Sequence, residues 1–262
     1  MDLIGAKQVY IDTYKPLVIE FLNKIKGTGH ENMPQPFLPL YGQLYDSTPV
    51  RIAFVGMETR GWGNMGEFVK RVDDDTEEAI LREFEEFDEL DFRFWGNNFG
   101  RTFWDFNFKF LAAFHGVDDW KVVKRGGRDD ILKSFAWGNT NAIERHHVTA
   151  AKNGVDVESW AVVKRASKIF DKSSLIINVM QPHLIVILNW ETPEEWLTGE
   201  FDNVVKEKID DHLSYYYVGK TQTHILWTAH PTWLAKNRDF DEYIKYMVRF
   251  IKQKITNESI SD

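Results

Sequence analysis

The sequence contains no cysteine, which excludes disulfides, thiolate zinc sites, iron–sulfur clusters and cysteine nucleophiles at once. It has no apolar run near the ~18–20 residues that span a bilayer, and its first residues lack the apolar stretch of a signal peptide. Positive charge is in the minority. With 32 Lys and Arg against 40 Asp and Glu, the net charge is −8, so a nucleic-acid partner requires a local basic patch rather than a broad cationic surface. There is no internal repeat and no low-complexity stretch long enough to be a linker. The expectation is one domain over residues 1–262, cytoplasmic, monomeric and without a membrane partner.

What the chain does have is aromatic mass. Phe, Trp and Tyr make up 15% of it, enough to build a large core, and 27% charged residues fit a folded protein with a polar surface. Apolar residues at helical spacing predict an N-terminal helix over 10–25, and Gly and Pro make 27–39 a loop. Residues 51–55 read as a buried strand. The acidic stretch 73–91 carries Ile80, Leu81 and Phe84 on one face and reads as a helix within an insertion at about 65–99. An aromatic helix is predicted over 102–114, and the chain leads through 131–137 towards another strand. Further helices are predicted over 157–170, capped by Asp156, and over 174–180. Residues 184–188 form the clearest buried strand, 213–218 a Tyr-rich edge strand and 224–228 a last strand. A helix over 239–255 turns Ile244, Met247, Val248 and Ile251 inward. Strands alternating with helices predict an α/β fold: a three-layer α/β/α sandwich with a short, mainly parallel central sheet.

Three polar clusters follow predicted strands: Gly56-Met57-Glu58-Thr59-Arg60-Gly61-Trp62-Gly63, Asn139-Thr140-Asn141-Ala142, and His230-Pro231-Thr232-Trp233. In a parallel sheet the carboxyl ends of the strands share one edge, where ligands bind, so an acid, an amide and an imidazole can converge there. The set, in this order, resembles the uracil-DNA glycosylase superfamily. That family carries a V-G-x-x-P-G motif after a central strand, an Asn often in a T-N context after another, and H-P-S or H-P-T after the last. The matching residues are Val55-Gly56-Met57-Glu58-Thr59, Thr140-Asn141 and His230-Pro231-Thr232. Gly56 through Gly63 is similar to the G-M-N-P-G-P-F-G motif of the single-strand-selective monofunctional branch. Gly100-Arg101-Thr102-Phe103-Trp104 resembles the family's helix start, and Leu184 to Leu188 its apolar strand. The chain departs at Glu58, where that branch has Asn, and at Thr59, where the family has Pro.

The resemblance implies hydrolysis of the N-glycosidic bond of uracil or a related damaged base in single- or double-stranded DNA, with no cofactor and no metal. Glu58 would orient water and stabilise the sugar cation, and His230 would stabilise the departing base. Asn141 would read the base edge, near Gly56 and Met57, with Trp62 or Phe68 stacking on the base. Thr232, Trp233 and Leu234 fall where the family contacts and wedges DNA, and Arg60, Lys236, Arg238 and Arg101 supply a basic rim.

Each residue also has a plainer role. Glu58 can be a solvated turn acid or a partner of Arg60, Asn141 a cap, His230 a strand-end histidine bonded to backbone, and Trp233 part of the core. Lys121, Lys124, Arg125 and Arg128 make a basic cluster that is either a phosphate contact or a solvated face. Two rival functions stay open: a non-catalytic nucleic-acid or nucleobase binder of the same fold, and a metal-dependent hydrolase built on Glu144, His146 and His147.

Overall fold

The computed structural model describes residues 3–59, 61–90, 98 and 100–258. In chain order its helices are α1 (Leu3–Ile25), α2 (Met65–Asp74), α3 (Thr76–Glu89), α4 (Arg101–His115), α5 (Trp120–Lys124), α6 (Asp129–Leu132), α7 (Thr149–Lys152), α8 (Val157–Ala166), α9 (Ser173–Met180), α10 (Glu194–Thr198), α11 (Pro231–Asn237) and α12 (Phe240–Glu258). Its strands are β1 (Leu40–Tyr41), β2 (Ile52–Gly56), β3 (Phe135–Asn139), β4 (Leu184–Leu188), β5 (Val204–Asp210), β6 (Leu213–Val218) and β7 (Thr223–Thr228).

Among the described residues the strands form one seven-stranded sheet in the order β1-β3-β2-β4-β7-β6-β5. The architecture is α/β, and the sheet is mixed, with the expected parallel centre and with antiparallel flanks. β3, β2, β4 and β7 run parallel at the centre, while β1, β6 and β5 pair antiparallel. The four central strands are fully buried, and β2 and β4 are the continuous apolar runs that two covered faces demand. Period-two alternation splits their side chains between two hydrophobic clusters. Ala53, Val55, Ile185 and Ile187 join the α1, α2, α3, α8 and α9 side; Ile52, Phe54, Val186 and Leu188 join the α4, α11 and α12 side.

The Tyr-rich segment 213–218 is not an edge strand. It lies between β7 and β5, and β5 forms the edge. The acidic stretch divides into two helices because Asp75 breaks the first and caps the second, its carboxylate accepting from the backbone N–H groups of Glu77 and Glu78. Asp156 caps α8 in the expected way, accepting from Glu158 and Ser159. Among the described residues no helix is long and apolar enough to cross a membrane.

Strand order fixes where a site can form. From β2 the chain moves outward to β3, then crosses back over β2 to β4 and on to β7. Connections that leave in opposite directions open a crevice beyond the carboxyl ends of the two strands at the reversal, β2 and β4.

Candidate active site

A cleft of about 550 Å³ opens at that place. Glu58 reaches it from the loop after β2, Asn139 from the end of β3, Trp190 from the loop after β4 and His230 from the end of β7. Phe103 and Trp104 from the start of α4 and Trp137 from β3 form an aromatic wall, with Trp104 and Trp137 edge-to-face at 4.9 Å.

The loop carrying Glu58 is stitched to the loop after β3. Thr140 N donates to Gly56 O (2.9 Å) and Asn141 N to Met57 O (3.0 Å). The Thr140 hydroxyl and the Asn141 amide add bonds to Met57 O at 3.2 and 3.1 Å. One Glu58 carboxylate oxygen accepts from Arg145 N at 2.6 Å, so Glu58 is a positioned acid. Beneath this loop Lys164 donates to Ile143 O (2.8 Å) and Asn141 Oδ1 (3.3 Å), and it lies 3.8 Å from Asp171. Asp171 in turn accepts from Ala142 N at 2.7 Å. Burial holds the Lys164 ammonium below its ordinary range and pushes the Asp171 carboxyl up. Nothing in the linear sequence marks this partly buried pair, because its partners are 20 to 30 residues away.

His230 is the N-cap of α11, with Pro231 at the first helical position. Its Nδ1 accepts from Thr232 N at 3.2 Å, so in the neutral ring the proton sits on Nε2. Burial holds the imidazole below its ordinary pKa, which keeps it neutral. The indole of Trp190 lies parallel to it within 3°, centroids 5.0 Å apart, while the residue as a whole stays 54% exposed. Replacing Trp190 by alanine is expected to raise the His230 pKa towards its ordinary 6.5, because the ring loses its cover. An NMR titration of the imidazole measures this, and an unchanged pKa would assign the desolvation to other neighbours.

Several sequence expectations are corrected by position. Asn141 does not line the cleft; its amide is turned onto Met57 O and Thr140, and Asn139 takes the place at the wall. The reason is where the strand ends: Asn139 is the last residue of β3, paired with Gly56 on the face of Phe135 and Trp137, while Asn141 already lies in the loop. A Cβ on Gly56 would stand 2.7 Å from the Asn139 amide, so this close approach requires glycine. Trp62 and Phe68 are buried away from the cleft, in the two separate cores, and cannot stack on a ligand there. Leu234 is fully buried and cannot wedge into a duplex. Trp233 packs against His212, ring centroids 3.8 Å apart, under the Arg238 guanidinium. Thr232 lines the cleft and is tied to Thr102 by a 2.9 Å hydroxyl pair. Lys236, Arg238 and Arg101 are exposed; Arg60 lies outside the described residues. The aromatic residues that do face the cleft sit where the Gly100-Arg101 motif starts α4, at the end of β3 and just after β4.

Two of the three residues of the rival metal reading are otherwise engaged. The Glu144 carboxylate accepts from Thr149 N and Ala150 N at the start of α7, and His147 Nε2 is paired with Val155 O at 2.7 Å. Among the described residues no three His, Asp or Glu side chains gather as metal ligands. In the basic cluster, Lys124 is paired with Asp105 and Arg128 with Asp130. No family model, curated protein or solved structure matches the chain.

A carboxylate, a neutral imidazole and an amide in one aromatic-walled cleft form a set that can bind a flat polar ring, orient a water and stabilise negative charge on a leaving group.

Proposed function

We propose that the chain is a DNA glycosylase of the uracil-DNA glycosylase type, hydrolysing the bond between deoxyribose and uracil or a related base, on the sandwich fold of that superfamily. The observation that carries the reading is the convergence of Glu58, Asn139 and His230, from three separate strands, on the cleft at the chain reversal. A base turned out of its stack enters between the aromatic wall and the Trp190–His230 stack. As the C1′–N bond breaks, its electron pair stays on the base. The Nε2–H of His230 donates to the ring carbonyl that gains the charge. Glu58 faces the sugar cation and takes a proton from the water that adds to C1′. The products are the free base and an abasic sugar.

One observation favours the non-catalytic alternative. The Arg145 N–H already bonds one Glu58 oxygen at 2.6 Å, so part of the carboxylate's accepting capacity serves the loop. Incubation with a uracil-containing oligonucleotide, then alkali, decides: strand breaks at the uracil position support the enzyme, while tight binding with no breaks supports the binder.

DNA contact in this reading rests on a short rim. Lys236 lies near the end of α11, roughly 9 Å along the helix from His230, with Arg238 just beyond. Replacing both by glutamine is expected to lower the slope of log affinity against log salt by about one unit per charge. An unchanged slope would place the phosphate path elsewhere.

A further inference from the structure

Of the exposed large hydrophobic side chains among the described residues, Trp190 alone lines the cleft. Apolar residues scattered singly over a surface need no explanation, but this one is both exposed and fixed. Asn189, buried just before it, accepts from Trp190 N on its Oδ1 at 2.7 Å and donates through Nδ2 to Thr140 Oγ1 at 3.2 Å. Glu191, just after it, is paired with the Arg145 guanidinium at 2.8 Å. Thr140 and Arg145 belong to the loop after β3, and Arg145 N holds Glu58. The indole is thus anchored on either side to the loop that sets the cleft. Its rings also leave a surface over. Indole and imidazole are parallel within 3°, with centroids 5.0 Å apart. Stacked carbon atoms touch at about 3.5–4 Å, so the two rings are offset and the indole overhangs His230. Among the described residues the imidazole is its one ring partner. With His230 against one face and the residue 54% exposed, the other face is open at the cleft mouth.

We propose that Trp190 is a stacking platform for the base next in the strand to the one held in the cleft, and so makes the protein sensitive to the nucleotide flanking its target. This rests on the glycosylase reading for the class of ligand and deepens it. A base that leaves its stack strips one face from its neighbour, and that loss opposes binding. A flat indole held at the cleft mouth replaces the lost contact. It does so at little entropic cost, because its backbone is bonded in place before any ligand arrives. Stacking does not read hydrogen-bonding edges. The selectivity it confers follows ring area, a purine above a pyrimidine and either above a nucleotide that has no base.

The test uses otherwise all-thymine single strands carrying one uracil. The nucleotide before the uracil, or the one after it, is adenine, thymine or a tetrahydrofuran spacer without a base. Affinity and single-turnover base release are measured for the wild type, Trp190→Phe and Trp190→Leu. On one of the two sides the wild type is expected to bind the adenine strand about tenfold more tightly than the spacer strand, with thymine between them. Trp190→Phe keeps a ring and should keep that order with a smaller ratio. Trp190→Leu keeps apolar bulk without a π face and should bring the ratio close to one. Each ratio compares strands on one protein, so a change in the cover of His230 cancels from it. A wild type with no flanking-base preference on either side overturns the inference, as does one that binds none of the strands, or a preference that Trp190→Leu retains. A preference lost in Trp190→Leu with no base release by any form leaves the inference standing and removes the glycosylase reading. Uracil release with rate and affinity independent of the flanking nucleotide does the reverse.

Discussion

Replacing His230 by alanine is expected to slow single-turnover base release by about 10²–10³-fold, with a much smaller effect on DNA affinity. In the proposed reaction the asymmetry follows from when charge develops: the base is neutral on binding and anionic only as the bond breaks, so the Nε2–H acts mostly on the transition state. Alanine also removes the cap of α11, since Nδ1 accepts from Thr232 N, at a cost of about 1 kcal/mol. His230→Asn separates the two effects, because asparagine caps a helix well but is too short to replace the imidazole donor. The asparagine variant should melt close to the wild type and still lose most of the rate. If it retains the rate, the donor role is wrong and His230 serves only as a cap.

The second large effect concerns stability. Glu83 is 3% exposed and is held by Arg71 at 3.0 Å, with the Trp62 indole N–H 3.5 Å from its other oxygen. Arg71 also donates to Gln35 at 3.2 Å, and Gln35 N donates to Trp62 O. This network fixes residues 61–64, where Gly63 has φ +54° and no space for a Cβ beside Gln35. Removing one member of a buried ion pair strands the other charge. Arg71→Met is therefore expected to cost about 3 kcal/mol at neutral pH, the low end of the usual range because Arg71 is 28% exposed.

The sign of the pH dependence is set by Glu83. Burial already raises its pKa above the ordinary 4.5, with Gln35, Arg71 and Trp62 opposing. A raised acid favours the fold most below its unfolded pKa, and that contribution is lost as pH rises through the folded value. Without Arg71 the folded pKa climbs further. The deficit of Arg71→Met relative to wild type should therefore shrink as pH falls from neutrality towards 4.5. Arg71→Met combined with Glu83→Leu should recover most of the loss. Denaturant melts of the wild type and both variants across this range measure it; a deficit independent of pH would show that Glu83 is not the stranded charge.

Much of the fold was legible because burial writes itself into composition. β2 and β4 are uninterrupted apolar runs, and α12 repeats its apolar residues at helical spacing, so each is recognisable alone. β5 was not, because its interior residues are exposed and carry Lys206, Glu207 and Lys208; its existence depends on pairing with β6. That unseen partner is also why β6 read as an edge. At the cleft, the carboxylate and imidazole could be placed because turn chemistry after a strand end is local. The amide was misplaced by two residues, a shift that pleat parity cannot detect; what decides it is that β3 ends at Asn139, paired with Gly56, so Asn141 lies beyond the strand. The aromatic wall was out of reach for a different reason: it is assembled from α4, β3 and the loop after β4, and proximity in sequence favoured Trp62 and Phe68 instead.

The bonds that set the cleft span long loops of chain. Asn139 reaches Thr59 across 80 residues, Asn141 reaches Met57 across 84 and Glu58 reaches Arg145 N across 87. Closing such loops costs entropy before any contact repays it, and proteins rich in distant contacts fold slowly. The cleft is therefore expected to form late in folding, since helices such as α4 and α12 can form while Glu58 and Asn139 still belong to unconnected stretches. In refolding, recovery of helical signal should run ahead of recovery of ligand binding, and a chain cut between β2 and β3 has to reassemble before it can bind at all.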